Sequence, residues 1–357
     1  MLVSSTWGAK SLFGRHPLLA RRLLAALPRD EYRVGIALHP NIWHGHGPGQ
    51  VEAWLADAVR AGLIVLPPDE GWRAAVVAAD AVFGDLGSVS YYAAALGRPV
   101  VLDRSGADAV AADSPIARLL AAATPYDPRR PVRALLREAE GNAERTGALA
   151  GGEVSSYPGR SLALLREAMY RLMGAAEPEE PPVVPAVPAP VPRPGPAHPA
   201  LWTTVAEDPG GALRITRTPA AVPRPGSPAP AFLMVWEEEP DRRLAELADL
   251  VVAREAAGEA AEDGVRWCRE TLDLRAGPHA AARYGRDRCV LHARSASGAV
   301  TVAASAEWPR PGFDPSLLPA LLYQRVLDGG GIPGPGHRLR LRLPGTGEEA
   351  AIRIEAR

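Results

Sequence analysis

The stretch 79–101 constrains the fold of this chain more than any other. It runs Ala-Asp-Ala-Val-Phe-Gly-Asp-Leu-Gly-Ser-Val-Ser and continues from Tyr91 to Val101. The apolar run Ala81-Val82-Phe83 is too short for a helix and reads as a buried strand. Glycines at 84 and 87 permit a sharp turn, and Ser88 is placed to cap a helix that stops at Gly97. After Arg98-Pro99 comes a second buried strand, Val100-Val101-Leu102. Strand, glycine turn, helix and strand form a βαβ unit. Its turn exposes helix N–H groups and a positive dipole end, so it either holds an anion such as a phosphate or stands empty.

Residues 2–5 supply one short strand, followed by the polar loop Thr6-Trp7-Gly8-Ala9-Lys10-Ser11. Further strands are predicted at 34–38 and 63–66, and helices at 16–27, 51–61 and 72–79. Joined to the central unit, they give an alternating α/β pattern: a single Rossmann-like, doubly wound parallel sheet over residues 1–174. Right-handed crossovers place the loops after Ser5, Leu38, Leu66, Phe83 and Leu102 on one edge, where such sheets bind ligands. Helices predicted at 116–123, 132–145 and 159–173 coat the sheet, with Leu162, Leu165, Met169 and Leu172 at core-facing spacing.

Residues 175–200 carry proline at nearly every second or third position and read as a stiff linker. Residues 201–357 read as a smaller α+β domain. A hairpin is expected about Gly210-Gly211, strands at 232–236, 300–305, 338–343 and 351–355, and helices at 241–257 and 317–327. The proline-rich segment 219–230 reads as a loop. The alternating Arg338, Arg340 and Arg342 mark either a solvated strand face or an anion surface. This half shows no catalytic constellation.

Charge narrows the function classes. Lys and Arg number 40 against 41 Asp and Glu, a net charge of −1, which argues against a nucleic-acid partner held by bulk charge. No 18-residue apolar run suggests a membrane span, and the first residues lack the pattern of a secretory leader. The two cysteines, Cys268 and Cys289, form neither a disulfide framework nor a metal-ligand spacing. A cytoplasmic protein is expected.

Candidate chemistry gathers on the ligand edge. His39, followed by Pro40 and Asn41, sits just past a strand, where it either contacts a phosphate, moves a proton or caps the loop. His44-Gly45-His46-Gly47, with His39 nearby, lacks the carboxylate or cysteine that would complete a zinc set, so no metal is expected and a flexible glycine-rich loop for the acceptor or the diphosphate is the reading. Trp43 either stacks on a ligand or is an ordinary half-buried loop residue. Asp85 either caps its turn or binds a ligand hydroxyl, and Ser88 either caps the helix or donates to a phosphate. Thr6, Trp7 and Lys10, the only lysine, occupy the first loop on the same edge. The P-loop signature of nucleotide triphosphatases is absent.

His39-Pro40, the segment 79–89 and Leu96-Gly97-Arg98-Pro99-Val100-Val101 together resemble the C-terminal, donor-binding half of CDP-glycerol glycerophosphotransferases, enzymes of GT-B fold. The resemblance covers roughly the first hundred residues. It implies a nucleotide-diphosphate donor, CDP-glycerol or a nucleotide-sugar, used in cell-envelope polymer or glycan synthesis, with a peripheral place at the membrane and no cofactor. By the same resemblance His39 matches the family's donor-site histidine and is expected to be catalytic, and Asp85 and Ser88 match its diphosphate-binding turn. Thr6, Trp7, Lys10, Asn41 and Gly87, from their places on the same edge, are expected to join them in holding the donor, with Lys10 able to neutralise a leaving phosphate. Two departures stand out. Leu86 and Gly87 replace hydroxyl-bearing residues of the family pattern, and the family's N-terminal acceptor domain has no counterpart before Met1. Two expectations follow: a GT-B-type transferase, or a non-catalytic nucleotide- or partner-binding module derived from one.

Overall fold

The computed structural model describes residues 1–189, 191, 200–223, 230–256, 258, 260–295, 298–328 and 335–355. Two compact units emerge. The first comprises Met1–Leu23, Val34–Val59 and Leu63–Pro194; the second comprises Leu24–Arg33, Arg60–Gly62 and Gly195–Arg357.

The first unit is built on a six-stranded parallel sheet. Its strands are β1 (Leu2–Ser5), β2 (Gly35–Leu38), β3 (Ile64–Val65), β4 (Val82–Gly84), β5 (Val100–Leu102) and β6 (Thr124–Pro125), in the order β3-β2-β1-β4-β5-β6. Val3 sits between Ile36 and Phe83 in register, so β1 is central and the winding reverses between β1 and β4. Strands this short hold together because nearly every residue is buried, as parallel strands covered on both faces require. Between β1 and β2 lie α1 (Leu12–Arg15) and α2 (Leu19–Ala26). Between β2 and β3 lie α3 (Pro40–His46) and α4 (Pro48–Arg60). The remaining helices are α5 (Trp72–Ala78), α6 (Ser88–Ala95), α7 (Pro115–Ala122), α8 (Val132–Val154) and α9 (Ser161–Met173).

Three local expectations are corrected in this unit. The segment expected to be a flexible glycine-rich loop is helix α3, started by the His39 cap and Pro40 and ended at Gly47, whose φ is 82°. Ser88 is not the cap of α6. Gly87 holds that position and Ser88 is the first helical residue. Helix α9 exists, but none of its residues is buried, and Leu172 is 86% exposed. Helical spacing reveals an apolar stripe without saying that anything covers it. Residues 175–189 of the expected linker carry neither helix nor strand, while 190 and 192–199 lie outside the described residues, as do 224–229 of the second proline-rich loop. Among the described residues no helix is long and apolar enough to cross a membrane.

The second unit overturns the expected small α+β domain. It is a closed barrel of nine strands. They are β7 (Leu201–Glu207), β8 (Leu213–Pro219), β9 (Phe232–Trp236), β10 (Leu250–Arg254), β11 (Ala280–Tyr284), β12 (Arg288–Ser295), β13 (Gly298–Glu307), β14 (Arg338–Arg342) and β15 (Glu349–Glu355). Around the wall they run β10-β11-β12-β13-β15-β14-β8-β7-β9. The expected helix over 241–257 is instead α10 (Arg242–Glu246), capped by Asp241, followed by strand β10. Leu250 to Ala253 are all buried because both faces of β10 are covered: Leu250 and Val252 pack in the barrel interior with α12, and Val251 packs on the outer face with Leu244 and Trp267, so the strand reads as a continuous apolar run. Helix α11 (Ala261–Leu274) and strands β11 and β12 went unassigned in the sequence reading.

Inside the barrel runs α12 (Leu317–Leu327). Residues from Leu317 to Tyr323 are buried on every side of this helix, among inward residues drawn from all nine strands. Alanines at inward positions 280, 282, 293, 304 and 350 leave the room a helix needs. Arg217 on β8 also points inward and is fully buried. It donates to Asp30 and Asp314 at 2.6 and 2.8 Å and to Ser316 Oγ at 2.7 Å, which satisfies a charge that would otherwise be prohibitively desolvated.

Candidate functional site

Where the winding reverses, the ends of β1 and β4 are joined by one carboxylate. Asp85, 1% exposed, accepts hydrogen bonds from Ser5 Oγ (3.3 Å), Thr6 N (3.0 Å), Thr6 Oγ1 (2.8 Å), Leu12 N (2.9 Å) and Gly87 N (3.1 Å). These bonds fill its acceptor capacity, so Asp85 shapes the two loops and has no lone pair left for a ligand. The glycines beside it act through proximity. A Cβ at Gly84 would lie 2.1 Å from Ser90 Oγ, and one at Gly87 would lie 2.8 Å from Thr6 Cγ2. The strand-to-helix turn is therefore tight because α6 packs onto β4 and the first loop packs onto Gly87.

Above this junction lies a cleft of about 430 Å³. Thr6 and Trp7 from the first loop, His39 after β2, and Gly87 and Ser88 at the start of α6 all line it. The structure thus brings together five of the residues read from the sequence. Lys10 lies elsewhere, exposed and paired with Asp108, and Asn41 is exposed and does not line the cleft. Trp43 is buried and so presents no face for stacking on a ligand.

His39 has a defined protonation pattern. Its Nδ1 accepts the Asn41 N–H at 3.1 Å, so the neutral ring carries its proton on Nε2 and acts there as a donor. Burial lowers its pKa below the ordinary 6.5, against an opposing pull from the Asp85 carboxylate. The Trp7 ring, 53% exposed, lies 4.2 Å from the imidazole centroid and tilted by 38°, which restricts the ring's orientation.

Sequence reading missed Pro67, Pro68, Asp69 and Trp72, which also line the cleft. The signal was present, because Pro67-Pro68 follows a strand whose terminal loop was already placed on the ligand edge. Trp72 stacks on Tyr92, with ring centroids 5.9 Å apart and an interplanar angle of 19°.

No family model, curated protein or solved structure matches the chain.

Proposed function

We propose that the first unit binds a nucleotide-diphosphate donor in the cleft at the sheet's reversal point and acts as a GT-B-type transferase. One observation carries this reading: a helix N-terminus, a neutral histidine donor and an exposed tryptophan converge on one cavity at the edge where doubly wound sheets bind ligands. Gly87 and Ser88 line the cavity at the positive end of the α6 dipole; the Gly87 N–H is taken by Asp85, so the Ser88 N–H and hydroxyl at the first turn are the groups that suit a diphosphate. His39 Nε2–H donates to a phosphate oxygen and stabilises the charge that builds on the leaving diphosphate. Trp7 and Trp72 offer ring faces to a base or sugar. We place the reaction in the cytoplasm, as suits a nucleotide-linked donor, with CDP-glycerol or a nucleotide-sugar as donor class.

A binding module without turnover is favoured by a different observation. Asp85 is fully engaged, which leaves Asp69 as the one carboxylate lining the cleft among the described residues.

Isothermal titration with CDP-glycerol, UDP-sugars and GDP-sugars tests the proposal. Saturable binding is expected to at least one of them, and His39→Asn separates contact from structure. Asparagine is a good helix cap, so α3 is retained while the Nε2 donor is lost. Loss of a hydrogen bond to a charged phosphate is expected to weaken binding by about tenfold to a hundredfold. No saturable heat with any of these donors would overturn the reading, and binding without any product over a panel of acceptors would select the module.

A further inference from the structure

A second cavity, of about 760 Å³, opens at one end of the barrel. Three arginines line it: Arg254 at the end of β10, Arg286 in the β11–β12 turn and Arg310 in the β13–α12 connection. The nearby carboxylates are committed elsewhere. Glu255 accepts from Arg288 Nε at 2.7 Å, Asp314 is bound by buried Arg217, and Arg310 is paired with Glu348 at 2.9 Å. Arg254 and Arg286 consequently form no ion pair among the described residues, and Asp287 is the one carboxylate on the cavity wall.

Beside these cations stand two half-buried rings. Trp308 and Phe313 stack with centroids 6.2 Å apart and an interplanar angle of 28°. The Arg310 guanidinium lies 5.2 Å from the Phe313 centroid, and the Trp308 indole N–H donates to the Arg286 carbonyl at 2.9 Å, which fixes the ring against the β11–β12 turn. Unpaired guanidiniums recognise phosphate or carboxylate, and a fixed aromatic platform recognises a flat ring. The volume falls in the range of small-molecule sites, about 300–1,000 Å³.

We infer that the barrel mouth binds a small organic anion carrying a planar ring, of the mononucleotide class, with Arg254 and Arg286 on its anionic group and Trp308 against its ring. The site lies wholly in the second unit and does not depend on the cleft of the first.

The test is isothermal titration of the full chain with AMP, adenosine and inorganic phosphate as probes. It is repeated with His39→Asn and with the double variant Arg254→Gln/Arg286→Gln, whose exposed side chains do not enter the core. A saturable AMP site is expected that persists in His39→Asn and weakens about tenfold or more in the double variant, with adenosine and phosphate each about tenfold weaker than AMP. Absence of AMP binding overturns the inference. So does AMP binding unchanged by the double variant, or adenosine or phosphate binding as tightly as AMP. Binding lost in His39→Asn alone assigns the nucleotide to the first cleft and equally overturns it.

Discussion

At the scale of single residues, Asp85 and His39 divide the work of the cleft. Asp85 holds two loops together through five donors, among them the buried Leu12 N–H. Asp85→Asn places amide hydrogens against those donors and is expected to lower stability by about 3 kcal/mol in chemical denaturation. An unchanged midpoint would show that the carboxylate does not hold the loops. His39 leads to a titration. Because burial lowers its pKa, the ring stays neutral at pH 7, and its NMR resonance is expected to titrate below 6.5. For the donor proposed above, affinity is expected to be flat above about pH 6.5 and to change only on acidification, as Nδ1 gains a proton and gives up the Asn41 N–H. A pKa above 6.5 would mean that the pull of the Asp85 carboxylate outweighs burial. The sequence placed His39 and Ser88 at the correct edge because strand ends and short loops are local features. It assigned Asp85 and Lys10 to the ligand because no local pattern reveals that a carboxylate is surrounded by donors from another loop, or that a lysine folds away toward Asp108.

Among elements, α12 departs furthest from an ordinary surface helix. A helix that is apolar all round must be enclosed, and here the enclosure is a β-wall. Leu321 is fully buried in that interior, and Leu321→Ala is expected to lower stability by about 3 kcal/mol in thermal or chemical unfolding. A loss below about 1 kcal/mol would mean the barrel collapses easily onto the gap. Local signals in the sequence showed α12 as an apolar run, the β7–β8 hairpin through its Gly210-Gly211 turn, and β14 and β15 through their alternation. It missed β10 and β11 because their side chains are buried on both faces, which erases the alternation that marks a strand. Closure itself is invisible to any single window, since β8 meets β14 across more than a hundred residues of chain. The same blindness applied to α9, whose spacing was correct and whose expected burial was not.

At the scale of the whole molecule, the second unit draws on an early segment of the chain, Leu24–Arg33, and places its Asp30 against buried Arg217. This cluster makes the unit acid-sensitive. Burial alone pushes the Asp314 carboxyl up, but the Arg217 guanidinium and the hydrogen bonds from Ser316 outweigh it and hold the group well below the usual carboxylate range. The corresponding stabilisation is present above the unfolded-state value of about 4 and is lost as pH falls below it. Since the Asp314 side chain is 40% exposed, solvent screening keeps the amplitude modest. Denaturation midpoints measured from pH 6 down to about pH 2 should fall less steeply in Asp314→Asn than in the parent chain; parallel profiles would remove this pair from the acid response. The barrel also fixes an order of assembly. β14 and β15 follow α12 along the chain, and together they bridge β13 to β8. A nascent chain that has not yet reached Glu355 lacks the strands that join β13 to β8, so the wall cannot close around the helix before then. A ribosome stalled before that point would display an oily, unfinished barrel, which is the kind of nascent surface that chaperones engage.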